Sequence, residues 1–340
     1  ERENRQARKL IQDFNRVNSR IMLHIVLFVK RDLAGCIAAN RVVYEAYGKE
    51  RSPQHKITIL IGDRVRKCER ENRQANSMIE FERDLFIDYL ALHDKAIEGE
   101  SVVPVWPRCL SFEGLSQYYG IHVETITNAN SDETVRKVRD MEPDVILNIR
   151  NNMIYKAPII ETARLGFMNT HLGPLPDYKG LYGVFQQMRH GETRIGCALH
   201  VIDTGIDTGA IIKKEFVPLD KSKSVIWHQL QLYLKGVEAF ISLWSRFEEG
   251  MRADELGVPQ NANEGRYFGQ PDESHFEKFA DEGFHMLVKA EMEEFTSSYF
   301  LPLQDVVEKI SKHLRSKDAD NIVEEELEQP LRRVEVLTCA

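Results

Sequence analysis

Short apolar runs and longer amphipathic segments alternate along much of this 340-residue chain. The runs HIVLFV at 24–29 and KITILI at 56–61 are rich in branched residues, which is typical of buried strands. Further strands are predicted at 122–126, 144–147 and 166–170, and helices at 33–47, 77–97, 114–119 and from Ser131 to just before Pro143. Strands separated by helices imply right-handed crossovers and a mostly parallel sheet.

The pattern changes after residue 170. A helix at 180–190 precedes two strands, 194–202 and 210–217, which we expect at one edge of the sheet, and a long helix follows at 224–249. Beyond Gly250 the pattern predicts helices with intervening loops, either a small appended domain or a helical cover. The predicted fold is therefore α/β, a mostly parallel sheet flanked by helices, with a smaller and mainly helical C-terminal region. Its units are a helical leader (1–20), a main domain (21–250) and a C-terminal region (251–340) with an acidic tail.

The N-terminal leader is charged and has Leu10, Ile11, Phe14 and Val17 at the spacing of a short amphipathic helix. The heptapeptide ERENRQA occurs at 1–7 and again at 69–75. Two copies do not make a repeat architecture, and the sequence indicates no function for them.

Composition narrows the class of protein. The net charge is −8, and residues 251–340 carry 10 Lys and Arg against 20 Asp and Glu, which disfavours nucleic-acid binding. The five cysteines form no C-x-x-C pair, so neither a disulfide framework nor a structural zinc site is expected. No apolar run approaches the roughly 20 residues that span a bilayer. We expect a soluble, cytoplasmic protein that binds neither a membrane nor a nucleic acid.

The residues that suit chemistry are concentrated between 167 and 212. This stretch reads FMNTHLGPLPDYKG and, after a predicted helix, GETRIGCALHVIDTGIDTGAII. Asn169 and His171 lie at the end of a predicted parallel strand, where open α/β sheets bind ligands. Residues two apart on a strand face the same side, so both should face one site. The loop 203–209, which joins two strands, adds Asp203 and Asp207.

An amide, an imidazole and a carboxylate together suit acyl transfer to an amine. That reaction needs a hydrogen-bond donor for the carbonyl oxygen as it becomes an oxyanion, and a group that takes the proton of the attacking amine. A carboxylate also orients a histidine and favours its charged form. Taken singly, each residue is more typical of a turn or a structural role; the combination, in order and in strand context, is far more specific.

The same stretch resembles the 10-formyltetrahydrofolate-dependent formyltransferase family, which includes glycinamide ribonucleotide, methionyl-tRNA and amino-sugar formyltransferases. The resemblance rests on N-T-H at 169–171, L-P-D-Y-K-G at 175–180 and D-T-G at 207–209. The resemblance is strong from about residue 143 to residue 217. In the preceding part, from Met22, only the pattern of strands and helices is compatible with the family. The resemblance implies a Rossmann-like sheet, 10-formyltetrahydrofolate as co-substrate and no metal.

The resemblance also implies roles for individual residues. Asn169 would hydrogen-bond the formyl oxygen, His171 would stabilise the oxyanion as an imidazolium, and Asp207 would hold His171 and help to remove the amine proton. The residues expected to contact the folate are Ile149, Arg150, Asn151, Met153, Ile154, Asp203, Gly205 and Ile206. Two positions depart from the family's usual pattern: Arg150, where relatives often have a small residue, and Gly173, in place of a serine or similar residue. Arg150 is open between a surface charge and a folate contact.

The acceptor is not identified by the sequence. A small-molecule amine, such as an amino sugar or an amino-acid derivative, is favoured. Aminoacyl-tRNA formylation is disfavoured by the acidic C-terminal region, because that family adds a basic barrel there. A second class of function is hydrolysis, as in the formyltetrahydrofolate deformylases. It is disfavoured because those proteins add an N-terminal regulatory domain, for which residues 1–20 are too short. A third class is a non-catalytic folate-binding module. The oligomeric state is also open, and the helix at 224–249 and the C-terminal helices are possible surfaces for a homodimer.

Overall fold

The computed structural model describes residues 22–48, 53–63, 65, 70–71, 73–97, 105–261 and 264–300. The predicted leader helix, the first ERENRQA copy and the acidic tail lie outside the described residues. Within those ranges, no helix combines the length and the apolar character that a membrane crossing requires.

A seven-stranded sheet forms the centre of the fold, and two short strands pair separately. The strands in chain order are β1 (His24–Lys30), β2 (Lys56–Gly62), β3 (His122–Ile126), β4 (Val145–Ile149), β5 (Gly166–His171), β6 (Lys179–Gly180), β7 (Arg194–Val201), β8 (Ile211–Pro218) and β9 (Tyr267–Phe268). The large sheet has the order β3-β2-β1-β4-β5-β7-β8, and β6 pairs with β9 separately. Strands β1 to β5 pair in parallel, whereas β7 runs antiparallel to both β5 and β8. The predicted mostly parallel sheet, with the late strands at one edge, is confirmed.

Helices cover both faces of the sheet. They are α1 (Leu33–Tyr47), α2 (Arg73–Ile79), α3 (Leu85–Ile97), α4 (Phe112–Tyr119), α5 (Asp132–Asp140), α6 (Ala157–Ile160), α7 (Gly183–Arg189), α8 (Val225–Ile241), α9 (Trp244–Glu248), α10 (Ala253–Leu256), α11 (Glu273–Asp281) and α12 (Ala290–Tyr299). A π-helical turn, Glu80–Asp84, joins α2 to α3. The predicted helix at 77–97 therefore contains a π turn, and the one predicted at 224–249 is divided between α8 and α9.

Side chains of β1 alternate between two hydrophobic clusters, one on each face of the sheet. Ile25, Leu27 and Val29 join the larger cluster, whereas Val26 and Phe28 join the smaller one. This is the period of two that a strand buried on both faces requires.

The C-terminal helices belong to the larger of these clusters. Phe276 and Phe279 of α11 and Met292 and Phe295 of α12 are buried in it together with residues of β1 and α8. The described part of the C-terminal region thus packs as a helical cover on the main core. Glu273 and Glu277 are exposed on the outer side of that cover, whereas Glu291 is buried against Ser224.

Candidate active site

A cavity of about 620 Å³ lies at the carboxyl ends of the central strands. Three segments line much of its wall: the loop after β4 (150–155), the end of β5 (169–172) and the loop between β7 and β8 (203–207). A volume of this size suits a small-molecule ligand. The position is the one that open α/β sheets use for binding.

Asp207 lies between two histidines at the centre of this cavity. Its Oδ1 is 3.5 Å from Nδ1 of His171 and 3.6 Å from Nε2 of His200. Its Oδ2 accepts a hydrogen bond of 2.8 Å from the backbone N–H of Gly180. The carboxylate is therefore fixed by backbone at one oxygen and directed at imidazoles with the other.

The orientation of the His171 ring is set by its hydrogen bond to the Tyr178 backbone, on the side of the ring away from Asp207. Nε2 of His171 lies 2.6 Å from the carbonyl oxygen of Tyr178, which can only accept, so Nε2 donates. Nδ1 is then the ring nitrogen left for Asp207 and the cavity. Nδ1 lies beside the Asp207 carboxylate, which can accept a hydrogen bond from it.

Asp207 is held in a backbone conformation that non-glycine residues adopt rarely. Its φ is 54°, in the left-handed region. The Nε2 of Gln260 donates to the carbonyl oxygens of Asp207 (2.9 Å) and Gly209 (2.7 Å), which clamps the loop. No sequence signal indicated Gln260, because it lies about fifty positions away in the C-terminal region.

Asn169 is hydrogen-bonded by side chains that the sequence analysis did not single out. Its Oδ1 accepts from Nδ2 of Asn148 (2.8 Å), and its Nδ2 lies 3.1 Å from Nε2 of His200. Tyr155 donates its hydroxyl to Oδ1 of Asn148 at 2.7 Å. A polar residue within the apolar strand V-I-L-N-I was the available signal for Asn148. Burial lowers the pKa of His200 to about 4, so its ring is neutral near pH 7.

The residues expected to contact a folate are divided by the structure. Met153, Ile154, Asp203, Gly205 and Ile206 line the cavity. Ile154 and Ile206 are large apolar side chains that remain 67% and 47% exposed there. The carboxylate of Asp203 accepts from Gly205 N (3.0 Å) and Thr208 Oγ1 (2.6 Å), which are contacts within its own loop.

Of the remaining members, Arg150 and Asn151 also line the cavity, whereas Ile149 does not. Ile149 is fully buried in the larger hydrophobic cluster and is not part of the cavity lining. Asn151 lines the cavity, and its Nδ2 is buried without a hydrogen-bond partner among the described residues, as is Nδ2 of the neighbouring Asn152. Unpaired buried N–H groups are costly unless a ligand or water accepts from them.

Arg150 lies in a buried cluster of charges. Its Nε is 2.5 Å from Asp32, its Nη2 is paired with Glu82 of the π-helical turn, and its Nη1 donates to Gln229 at 2.9 Å. The guanidinium also lies 5.8 Å from the ring centroid of Tyr233. With a side chain that is 12% exposed, Arg150 is not a surface charge. Burial raises the pKa of Glu82 to about 6, against the opposing effect of Arg150.

Arg150→Met is expected to lower the free energy of unfolding by about 3–5 kcal/mol, because it leaves Asp32 and Glu82 buried without their cation. Denaturant titration measures this loss. The matched control is Lys235→Met, whose pair with Glu238 is about half exposed, and its expected loss is about 0–1 kcal/mol. Equal losses in the two variants would contradict the description of Arg150 as a buried structural cation.

Steric contacts explain why residue 173 is a glycine in this structure. A Cβ at this position would lie 2.4 Å from the carbonyl oxygen of Tyr178 and 2.9 Å from Nε2 of His171. A side chain here would therefore separate the imidazole from its acceptor. The lack of a side chain at residue 173 therefore leaves room for the hydrogen bond between His171 and Tyr178.

Gly173→Ala is expected to lower the free energy of unfolding by about 1–3 kcal/mol, the usual cost of overpacking. Gly269→Ala is the control, because a Cβ there would meet nothing within 4 Å. Thermal denaturation of the two variants side by side measures the difference. A Gly173→Ala protein as stable as the control would show that the close approach can relax.

The open α/β sheet thus presents an amide, an imidazole and a carboxylate at its carboxyl edge. Residues 114–232, which include Asn169, His171 and Asp207, match the formyl transferase family model.

Individual relatives were found among known sequences and solved structures. The methionyl-tRNA formyltransferase of Synechococcus sp. is 25% identical over 154 residues, 45% of this chain and 47% of the relative. That of Clostridioides difficile is 33% identical over 94 residues, 28% of this chain and 30% of the relative. The chain thus spans less than half the length of these relatives. The phosphoribosylglycinamide formyltransferase structure from Anaplasma phagocytophilum is 17% identical, with a TM-score of 0.46, over 74% of this chain and 99% of that one.

Proposed function

We propose that this protein transfers a formyl group from 10-formyltetrahydrofolate to the amine of a small molecule, such as an amino sugar or an amino-acid derivative. The observation that carries the proposal is the convergence of Asn169, His171 and Asp207 on one cavity, with Asp207 Oδ1 3.5 Å from the His171 ring. These are the three groups that direct acyl transfer to an amine requires.

The cavity lining fits a reduced folate. Ile154 and Ile206 offer exposed apolar surface to a planar ring, and Asn151 and Asn152 offer unpaired amide N–H groups to its oxygen and nitrogen atoms. The folate supplies the formyl carbon and takes up one proton at the nitrogen from which that carbon departs.

The three side chains have different tasks in the transfer. Asn169 donates an N–H to the formyl oxygen, on which negative charge develops during attack. His171 adds a second donor from Nδ1, because its Nε2 is already engaged by Tyr178. Asp207, held by Gly180, stabilises the charged imidazole and accepts the proton that the attacking amine loses.

Aminoacyl-tRNA is a second candidate acceptor. Its support is the similarity to methionyl-tRNA formyltransferases, and it is opposed by the excess of acidic residues in 251–340. A basic surface would be needed there to hold the phosphate backbone.

The test is a turnover assay with 10-formyltetrahydrofolate and a panel of acceptors. The panel contains an amino sugar, its nucleotide-linked form, an amino acid, an aminoacyl-tRNA and water alone. The proposal predicts that one small amine raises tetrahydrofolate formation by at least about 100-fold over water, the scale of a positioned acid–base group. Equal rates with every acceptor and with water would assign a hydrolase, and stimulation by aminoacyl-tRNA alone would assign the second candidate.

A further inference from the structure

We propose that Asn148, Tyr155 and His200 are positioning residues that fix the orientation of the Asn169 amide, so that its second N–H stays available to the cavity. The hydrogen-bond network itself stands on geometry, and its catalytic consequence rests on the proposed function. The network joins three neighbouring strands and one loop.

The sheet register brings these side chains together. Asn148 on β4 pairs with Asn169 on β5, and Asn169 pairs with His200 on β7. Residues opposite one another on adjacent strands place their side chains on the same face of the sheet. Three polar side chains therefore form a row across the sheet, and the row ends at Asp207.

One end of the network is fixed by the carbonyl group of Val201. Nδ1 of His200 lies 2.9 Å from the Val201 oxygen, which can only accept, so Nδ1 carries the proton. In the neutral ring Nε2 is then an acceptor. The atom of Asn169 that lies 3.1 Å away must donate, which assigns it as Nδ2 and leaves Oδ1 on the opposite side.

The other end is fixed by the carbonyl group of Asn151. Nδ2 of Asn148 donates to that oxygen at 3.1 Å and to Oδ1 of Asn169 at 2.8 Å. Oδ1 of Asn148 then accepts from the hydroxyl of Tyr155, whose pKa is raised well above its usual value by burial. Both ends give the same orientation for Asn169, and only one of its two amide protons is consumed.

The orientation requires a neutral His200. Burial holds its pKa near 4, and the charged and titratable groups that face it are Asp207, His171 and Asp203. If Nε2 of His200 gained a proton, Asn169 would have to turn its oxygen to that ring. The amide would then present the wrong group for a developing oxyanion, a loss of about 10²–10³ in kcat.

The experiment compares Asn148→Asp with Asn148→Leu by NMR of ¹⁵N-histidine-labelled protein, using long-range ¹⁵N–¹H correlation to read the protonated nitrogen of His200. Spectra are recorded above the pKa of the introduced carboxyl, which its ¹³Cγ shift reports. An ionised Asp cannot donate to Asn169, so the amide turns, its oxygen faces His200, and Nε2 becomes protonated. Leu removes the donor without forcing the reversal, and His200 keeps its proton on Nδ1.

The expected results are a proton on Nδ1 alone in the wild type and in Asn148→Leu, and a second proton on Nε2 in Asn148→Asp, with the pKa of His200 raised by about one unit or more, because Nδ1 still donates to Val201. The same protonation state of His200 in both variants at that pH would overturn the proposal. Should Asn148→Asp fail to fold, the wild-type spectrum alone decides: Nε2–H there overturns the network, and Nδ1–H supports it.

Kinetics test the catalytic consequence separately. Asn148→Asp should lower kcat by about 10²–10³ with the KM for 10-formyltetrahydrofolate within about threefold, whereas a general loss of structure would raise KM as well. If the wild type transferred no formyl group to any amine, the proposed function would be wrong. The NMR experiment would still test the hydrogen-bond network independently.

Discussion

Asp207→Asn is expected to lower kcat for formyl transfer by about 10²–10⁴-fold, the range of a positioned proton acceptor. The amide has the shape of the carboxylate, so the hydrogen bond from Gly180 can persist at its oxygen. It accepts no proton from the amine and gives a charged His171 no counter-charge. Steady-state kinetics with saturating folate and acceptor measure the loss.

The matched control for this variant is Asp177→Asn. Asp177 is exposed in the loop after β5 and is not part of the cavity lining. Its replacement should leave kcat within about twofold, as is usual for surface substitutions away from a site. Retention of more than a third of wild-type kcat by Asp207→Asn would remove the carboxylate from the mechanism.

His171→Ala is expected to reduce kcat by about 10³-fold, because the oxyanion loses a donor and Asp207 loses its charged partner. The substitution opens space beside Tyr178 and Gly173, where the ring now packs. Added imidazole should therefore restore part of the activity, in a saturable manner. The measurement is kcat against imidazole concentration for this variant.

His285→Ala is the control for the imidazole experiment. His285 is exposed on the C-terminal cover, and its replacement should neither slow turnover nor create a response to imidazole. Equal activity of the two alanine variants would exclude an imidazole from the reaction. A His171→Ala protein that unfolds at lower denaturant but turns over normally would place His171 among the structural residues.

Strand alternation explains why part of the site could be predicted and part was misplaced. The strand-and-helix pattern located β5, and residues two apart on it, Asn169 and His171, do reach the same cavity. The loop after β4 was instead treated as a continuous block from residue 149. Ile149 is the last residue of that strand and points into the core, whereas its neighbour Asn148 points to the site.

Other parts of the site depend on contacts between distant segments. Glu82 reaches Arg150 from a π-helical turn, and Gln260 reaches Asp207 from the C-terminal region. Neither residue belongs to a local motif, and a single sequence contains no signal for such pairings. The burial of Arg150 as a cation could not be predicted for the same reason, since both of its carboxylate partners lie more than sixty positions away in the sequence.

The central claim is that this cavity moves a formyl group from a folate to an amine. It is tested most directly by ¹³C NMR of a reaction between 10-[¹³C]formyltetrahydrofolate, the protein and the acceptor that stimulates turnover, with Asp207→Asn run in parallel. The account predicts that the label is recovered as a formamide on the amine, equimolar with the tetrahydrofolate produced, and that Asp207→Asn forms almost none. Label recovered only as formate, or an Asp207→Asn protein that formylates at the wild-type rate, would contradict it.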